Sequence, residues 1–86
     1  MEVRTVTVDI EKVLDEVWQR FLADTEATMS LPNYSAVGKR DMIDEDARAC
    51  KYCLDTLRWC KLIDEAECAD MQDRADAHAD MLKDSI

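Results

Sequence analysis

The residues that halt a helix are scarce in this chain, and they occur together. Its one proline, Pro32, and its one glycine, Gly38, both fall within Ser30 to Arg40, in the company of Asn33 and Ser35. Proline lacks the amide donor that a helix interior needs, and glycine costs about 1 kcal/mol there relative to alanine. The sequence on either side is therefore free to be helical, while 30–40 reads as a long loop. A turn-rich β protein needs far more of both residues.

Before the loop, Ile10, Val13, Leu14, Val17, Trp18, Phe21, Leu22, Thr25 and Met29 recur at helical spacing behind Asp9, a suitable N-cap. This predicts a helix over 9–29, with Lys12, Asp15, Glu16, Gln19, Arg20 and Glu26 on its solvent side. After the loop, Asp41 is the expected cap of a second helix over 41–63. A break at Asp64 and Glu65 opens a third over 65–85. Three helices of similar length, roughly 20 residues or ~30 Å each, suit an antiparallel three-helix bundle in a single domain. Residues 1–8 form an arm. Its alternating Val and Thr favour an extended strand, although Val3, Val6 and Ile10 also fit a backward extension of the helical stripe.

Two seams favour pairing of the second and third helices. Cys50, Cys53, Leu57 and Cys60 form one, and Cys68, Met71, Ala75, His78 and Leu82 the other, each stepping by three and four. A turn at Asp64 sets Cys60 opposite Cys68, Leu57 opposite Met71, Cys53 opposite Ala75 and Cys50 opposite His78.

Cys50-Lys51-Tyr52-Cys53 has the two-residue gap of zinc and redox motifs. In a continuous helix Cys60 stands ~10 Å along the axis from Cys53, too far to share an ion with it. Only Cys50, Cys53 and His78 could gather as ligands, one short of a structural zinc site. The four thiols are accordingly expected to be reduced core filler, with no metal and no cofactor. A thioredoxin-like role lacks its βαβ setting. His78 is expected to be a partly buried seam residue and not a base. Val37-Gly38-Lys39-Arg40 lacks the upstream glycine of a P-loop and reads as loop. No constellation for catalysis emerges, and no enzyme is expected.

The chain carries 11 Lys and Arg against 20 Asp and Glu, a formal charge of −9. That sign repels nucleic-acid phosphate and anionic membranes. No apolar run reaches membrane length, and Met1-Glu2-Val3-Arg4 lacks the start of a secretory signal, so a cytoplasmic protein is expected. The acidity is localised. Asp64 to Ile86 holds eight acids and two bases, whereas Met42 to Ile63 has four of each. Asp70, Asp73, Asp76, Asp80 and Asp84 fall within about 120° of helical arc, away from the apolar seam. Asp is a poorer helix former than Glu, so solubility alone would be better served by Glu paired with Lys at i+4.

A second apolar stripe, Tyr52, Thr56, Trp59 and Ile63, lies off the cysteine seam, and the first helix is expected to cover it. Tyr and Trp are also common interface anchors, and Tyr34 in the loop is placed to extend the same patch.

Two functions fit these features. The first is an inhibitor or adaptor that docks Asp70, Asp73, Asp76, Asp80 and Asp84, with Glu67 nearby and Tyr34, Tyr52 or Trp59 as anchors, on a protein's basic, nucleic-acid-reading surface. Small acidic antagonists that phages direct at restriction or CRISPR systems work in this manner, an analogy of size and charge. The second is a homo-oligomeric helical module without such mimicry, joined through the aromatic stripe or the arm.

Overall fold

The computed structural model describes residues 7–86 and contains three α-helices, with no strand among those residues. They are α1 (Ile10–Met29), α2 (Ala36–Trp59) and α3 (Glu65–Asp84), packed as a small helical bundle. The strand-or-helix question for 3–8 falls mostly outside the described residues; Thr7 and Val8 are exposed and belong to neither. No described helix is long and apolar enough to cross a membrane.

Asp9 caps α1 as expected, its carboxylate accepting the Lys12 amide at 3.2 Å. Asp64 does the same for α3, accepting the Glu67 amide at 2.7 Å. The start of α2 differs from expectation. It begins at Ala36 behind Ser35, whose hydroxyl accepts the Gly38 amide at 2.9 Å, and Asp41 sits inside the helix. The loop is thus 30–35, and Gly38 is a helical residue. A side chain there would collide with the Tyr34 ring, since an added Cβ would run into Tyr34 Cε1. Glycine serves here as room for a neighbour and not as a breaker. The next two residues tie elements together. Lys39 Nζ donates to the Met29 carbonyl at the end of α1 (3.2 Å), a helix with no basic residue in its own last turn, and Arg40 donates to the Ile86 carbonyl (3.4 Å).

The end of α2 also departs from the expected Ile63. The helix stops at Trp59, and Lys61 takes a left-handed φ of 60°. The Leu62 amide then bonds the Leu57 carbonyl and the Lys61 amide the Arg58 carbonyl, both at 2.9 Å. This pair of bonds is a Schellman motif, the common way to satisfy the last carbonyls of a helix. It turns the chain so that Ile63, beyond the helix, is buried.

The core comprises Phe21 from α1, Ile43, Ala47, Cys50 and Leu54 from α2, Ile63, and Cys68, Ala75 and Ala79 from α3. Ile10, Leu14, Val17, Trp18, Leu57, Met71 and Leu82 pack around it. The seam of α2 is therefore rotated from the one predicted. Ile43, Ala47, Cys50 and Leu54 face inward, while Cys53 and Cys60 are exposed. The reason is that α2 packs against both other helices, so its buried stripe is centred between the two. Cys60, at the C-cap, does not face the buried Cys68 as a seam partner. The antiparallel hairpin itself is as expected: Lys51 pairs with Asp76 at 3.0 Å and Lys83 with Asp44 at 2.8 Å across α2 and α3.

Candidate interaction surfaces

Cys50, Cys53 and His78, the one trio that could have gathered as metal ligands, are not brought together. Cys50 is buried and Cys53 exposed. His78 packs instead on α1, with its ring edge-on to Trp18 (6.0 Å between centroids) and Phe21 (5.5 Å). Among the described residues no group of three or more His, Cys, Asp or Glu could hold an ion. Burial pushes the Cys50 thiol up to about 11, and burial followed by the negative charge of Asp55 raises Cys68. Both thiols stay protonated at neutral pH and act as apolar filler.

Cys50 also lines an open groove of about 400 Å³ between α1 and α2, together with Val13, Val17 and Phe21. At its mouth Arg20 is held by Asp24 at 3.2 Å. Asp46, nearby, accepts a 2.8 Å hydrogen bond from the Thr28 hydroxyl. Burial pushes the Asp46 carboxyl up, the Thr28 bond pulls it back, and Asp24 and Glu45 add to the rise. Thr28 is 3% exposed, yet it reads as neither core nor site in the sequence. Only its i+3 spacing from Thr25, also buried, could have revealed it.

The aspartate row is placed as expected. Asp70, Asp73, Asp76, Asp80 and Asp84 are all exposed, on the side of α3 away from buried Cys68, Ala75 and Ala79. Glu67 is exposed beside them in the first turn. Three of the five aspartates are engaged within the chain: Asp70 with Arg74 at 3.0 Å, Asp76 with Lys51, and Asp80 with Lys83 at 3.4 Å. Asp73 and Asp84 make no ion pair among the described residues. A hydrogen bond to the Asp44 carboxylate leads the causes that hold the Lys83 ammonium above the usual lysine range, with Asp80 adding to it.

The aromatic stripe is not covered by α1. Trp59 is 83% exposed and Tyr52 74%, with Thr56 exposed between them. The first helix reaches α2 on a different side, through Phe21, Thr25 and the Thr28–Asp46 bond. Tyr34 does not extend this patch either. It precedes α2 and lies over Gly38, about 32 Å of helix from Trp59 by the rise of roughly 21 residues. The predicted anchors are thus split between the two ends of α2, and none is on α3.

No protein family, no curated protein and no solved structure matches this chain.

Proposed function

We propose that this chain is a non-catalytic protein-interaction module that docks the carboxylate face of α3 on a basic, nucleic-acid-reading surface of another protein, as an inhibitor or adaptor. The observation that carries this reading is the exposure of all five aspartates opposite the buried side of α3. Of the five, only Asp76 ties α3 to another helix, through Lys51 of α2, and Asp is a costly choice in a helix interior. Asp73 and Asp84 are the strongest candidates for direct contact. The paired Asp70, Asp76 and Asp80 would exchange Arg74, Lys51 and Lys83 for the partner's cations.

The test is retention of a binding partner from lysate on the immobilised chain, eluted with a salt gradient. Asp73→Asn, Asp76→Asn and Asp80→Asn together preserve size and remove three charges. The partner is expected to leave this variant at markedly lower salt, with slower association, while circular dichroism stays unchanged. Elution at the same salt from both chains would refute the carboxylate reading.

A further inference from the structure

The exposed face of α2 is balanced in charge where that of α3 is acidic, and it matches itself. The segment from Glu45 to Lys61 holds three acids and four bases, of which Asp46 faces the α1 groove and Lys51 pairs with Asp76 of α3, in a chain of net charge −9. A basic partner suited to α3 is therefore not favoured here, whereas a second copy of this chain meets no like-charge barrier at this face. Along α2 at 100° per residue, Tyr52, Thr56 and Trp59 form the centre of the exposed face. Cys53 and Cys60 flank it on one side, and Asp55 and Arg58 on the other. Both cysteines are exposed, as are Ala49 and Thr56, whose small side chains let a second helix approach.

We infer that two copies pair antiparallel through this face, about a two-fold axis passing between Thr56 and Leu57. At that register Asp55 of one copy is level with Arg58 of the other, twice by symmetry, and Cys53 is level with Cys60. Tyr52 and Trp59 of opposite copies fall within about 3 Å of level along the axes, close enough for ring contact. Arg58 reaches its own Asp55 only at 3.8 Å; Asp55 accepts from Gln72 Nε2 at 2.8 Å through Oδ1, which leaves Oδ2 for the exchange. Four aromatic side chains at roughly 150–250 Å² each supply on the order of 600–1,000 Å², most of the ~1,000 Å² that a specific interface needs. The pairing uses none of the five α3 aspartates and stands independently of the docking proposed for them. It presents two acidic faces per assembly.

Sedimentation velocity of the full chain under reducing conditions, over a concentration series, is expected to show a monomer–dimer equilibrium. Trp59→Ala should weaken it at least tenfold while the monomer stays as helical as the parent, since this side chain is exposed. The α3 triple Asn variant should leave it unchanged, which separates this contact from the docking face. A short bis-maleimide supplies the register: Cys53→Ser and Cys60→Ser should each abolish crosslinked dimer, and mixing the two variants should restore it. A monomer at every concentration, an undiminished dimer in Trp59→Ala, or crosslinking of either Ser variant alone would each overturn the proposal.

Discussion

The hydroxyl of Thr28 donates to the carboxylate of Asp46 at 2.8 Å, a hydrogen bond that joins the last turn of α1 to the middle of α2. The Asp24 carbonyl one turn earlier lies 3.1 Å from the same hydroxyl and shares its one proton, with the shorter bond going to Asp46. Burial raises the Asp46 carboxyl above its ordinary value, which means the fold disfavours its charged form. The stabilising contribution of the protonated acid is complete below the unfolded value of about 3.9 and is lost as pH rises through the folded value. Asp46→Asn keeps an acceptor for Thr28 and carries no charge. It is expected to raise the urea midpoint at pH 7, and the gain should vanish near pH 3.5. Thr28→Val should cost about 1–2 kcal/mol at pH 7, because it strands a partly buried carboxylate, and less in acid.

Gly38 yields a prediction with an unusual sign. Glycine to alanine inside a helix normally gains up to about 1 kcal/mol. Here the new methyl group would meet the Tyr34 ring, and the ring must be displaced. Gly38→Ala alone should gain little or lose stability, whereas the same change in a Tyr34→Ala background should be more favourable, with only the Ser35 cap hydroxyl at 2.9 Å left to shift. Thermal melts of the four chains in this double-mutant cycle read the coupling, and additive effects would contradict the contact.

How much of this was legible in the sequence depended on whether a residue answered to its own helix or to a neighbour. Asp9 was readable as a cap and Asp64 as the break before α3 because both signals are local, and α3 was readable as amphipathic because its acids and its small residues occupy opposite sides. Gly38 misled because its role is set by Tyr34. The α2 seam misled because Cys50-Cys53-Leu57 and Ile43-Ala47-Cys50-Leu54 both step by three and four. Choosing between them requires knowing that two helices, and not one, lie against α2. The same ignorance placed Trp59 beneath α1. The acidic face was identified correctly as a surface, but the pairing of Asp76 with Lys51 of α2 depends on a register that periodicity fixes only approximately.

Lys61 holds a left-handed conformation that glycine adopts without strain. Its side chain makes no hydrogen bond or ion pair among the described residues. Lys61→Gly should therefore stabilise the α2–α3 turn by roughly 0.5–1 kcal/mol, after allowing for the greater freedom of glycine in the unfolded chain. Chemical denaturation checks this, and a loss of stability would show that the lysine side chain contributes to the turn.

The four thiols should divide into two classes. Cys53 and Cys60 are exposed, while Cys50 and Cys68 are buried with their thiols pushed up. A colorimetric disulfide reagent at pH 8 is expected to titrate two thiols rapidly in the native chain and all four in denaturant. Rapid reaction of three or four in the native chain would place Cys50 or Cys68 at the surface.

The central position of α2 has a consequence for motion. Both other helices lean on it, whereas α1 and α3 meet sparingly, with His78 against Trp18 and Phe21 as their aromatic link. Loosening that imidazole contact weakens the hold of α3 on α1, leaving chiefly Leu14 and Trp18 beside Met71, without disturbing the α2–α3 hairpin. The bundle therefore has a natural order of fraying: α1 detaches as a cooperative unit, and its amide protons exchange with solvent ahead of those of α2, whose slowest amides report the global unfolding of the chain.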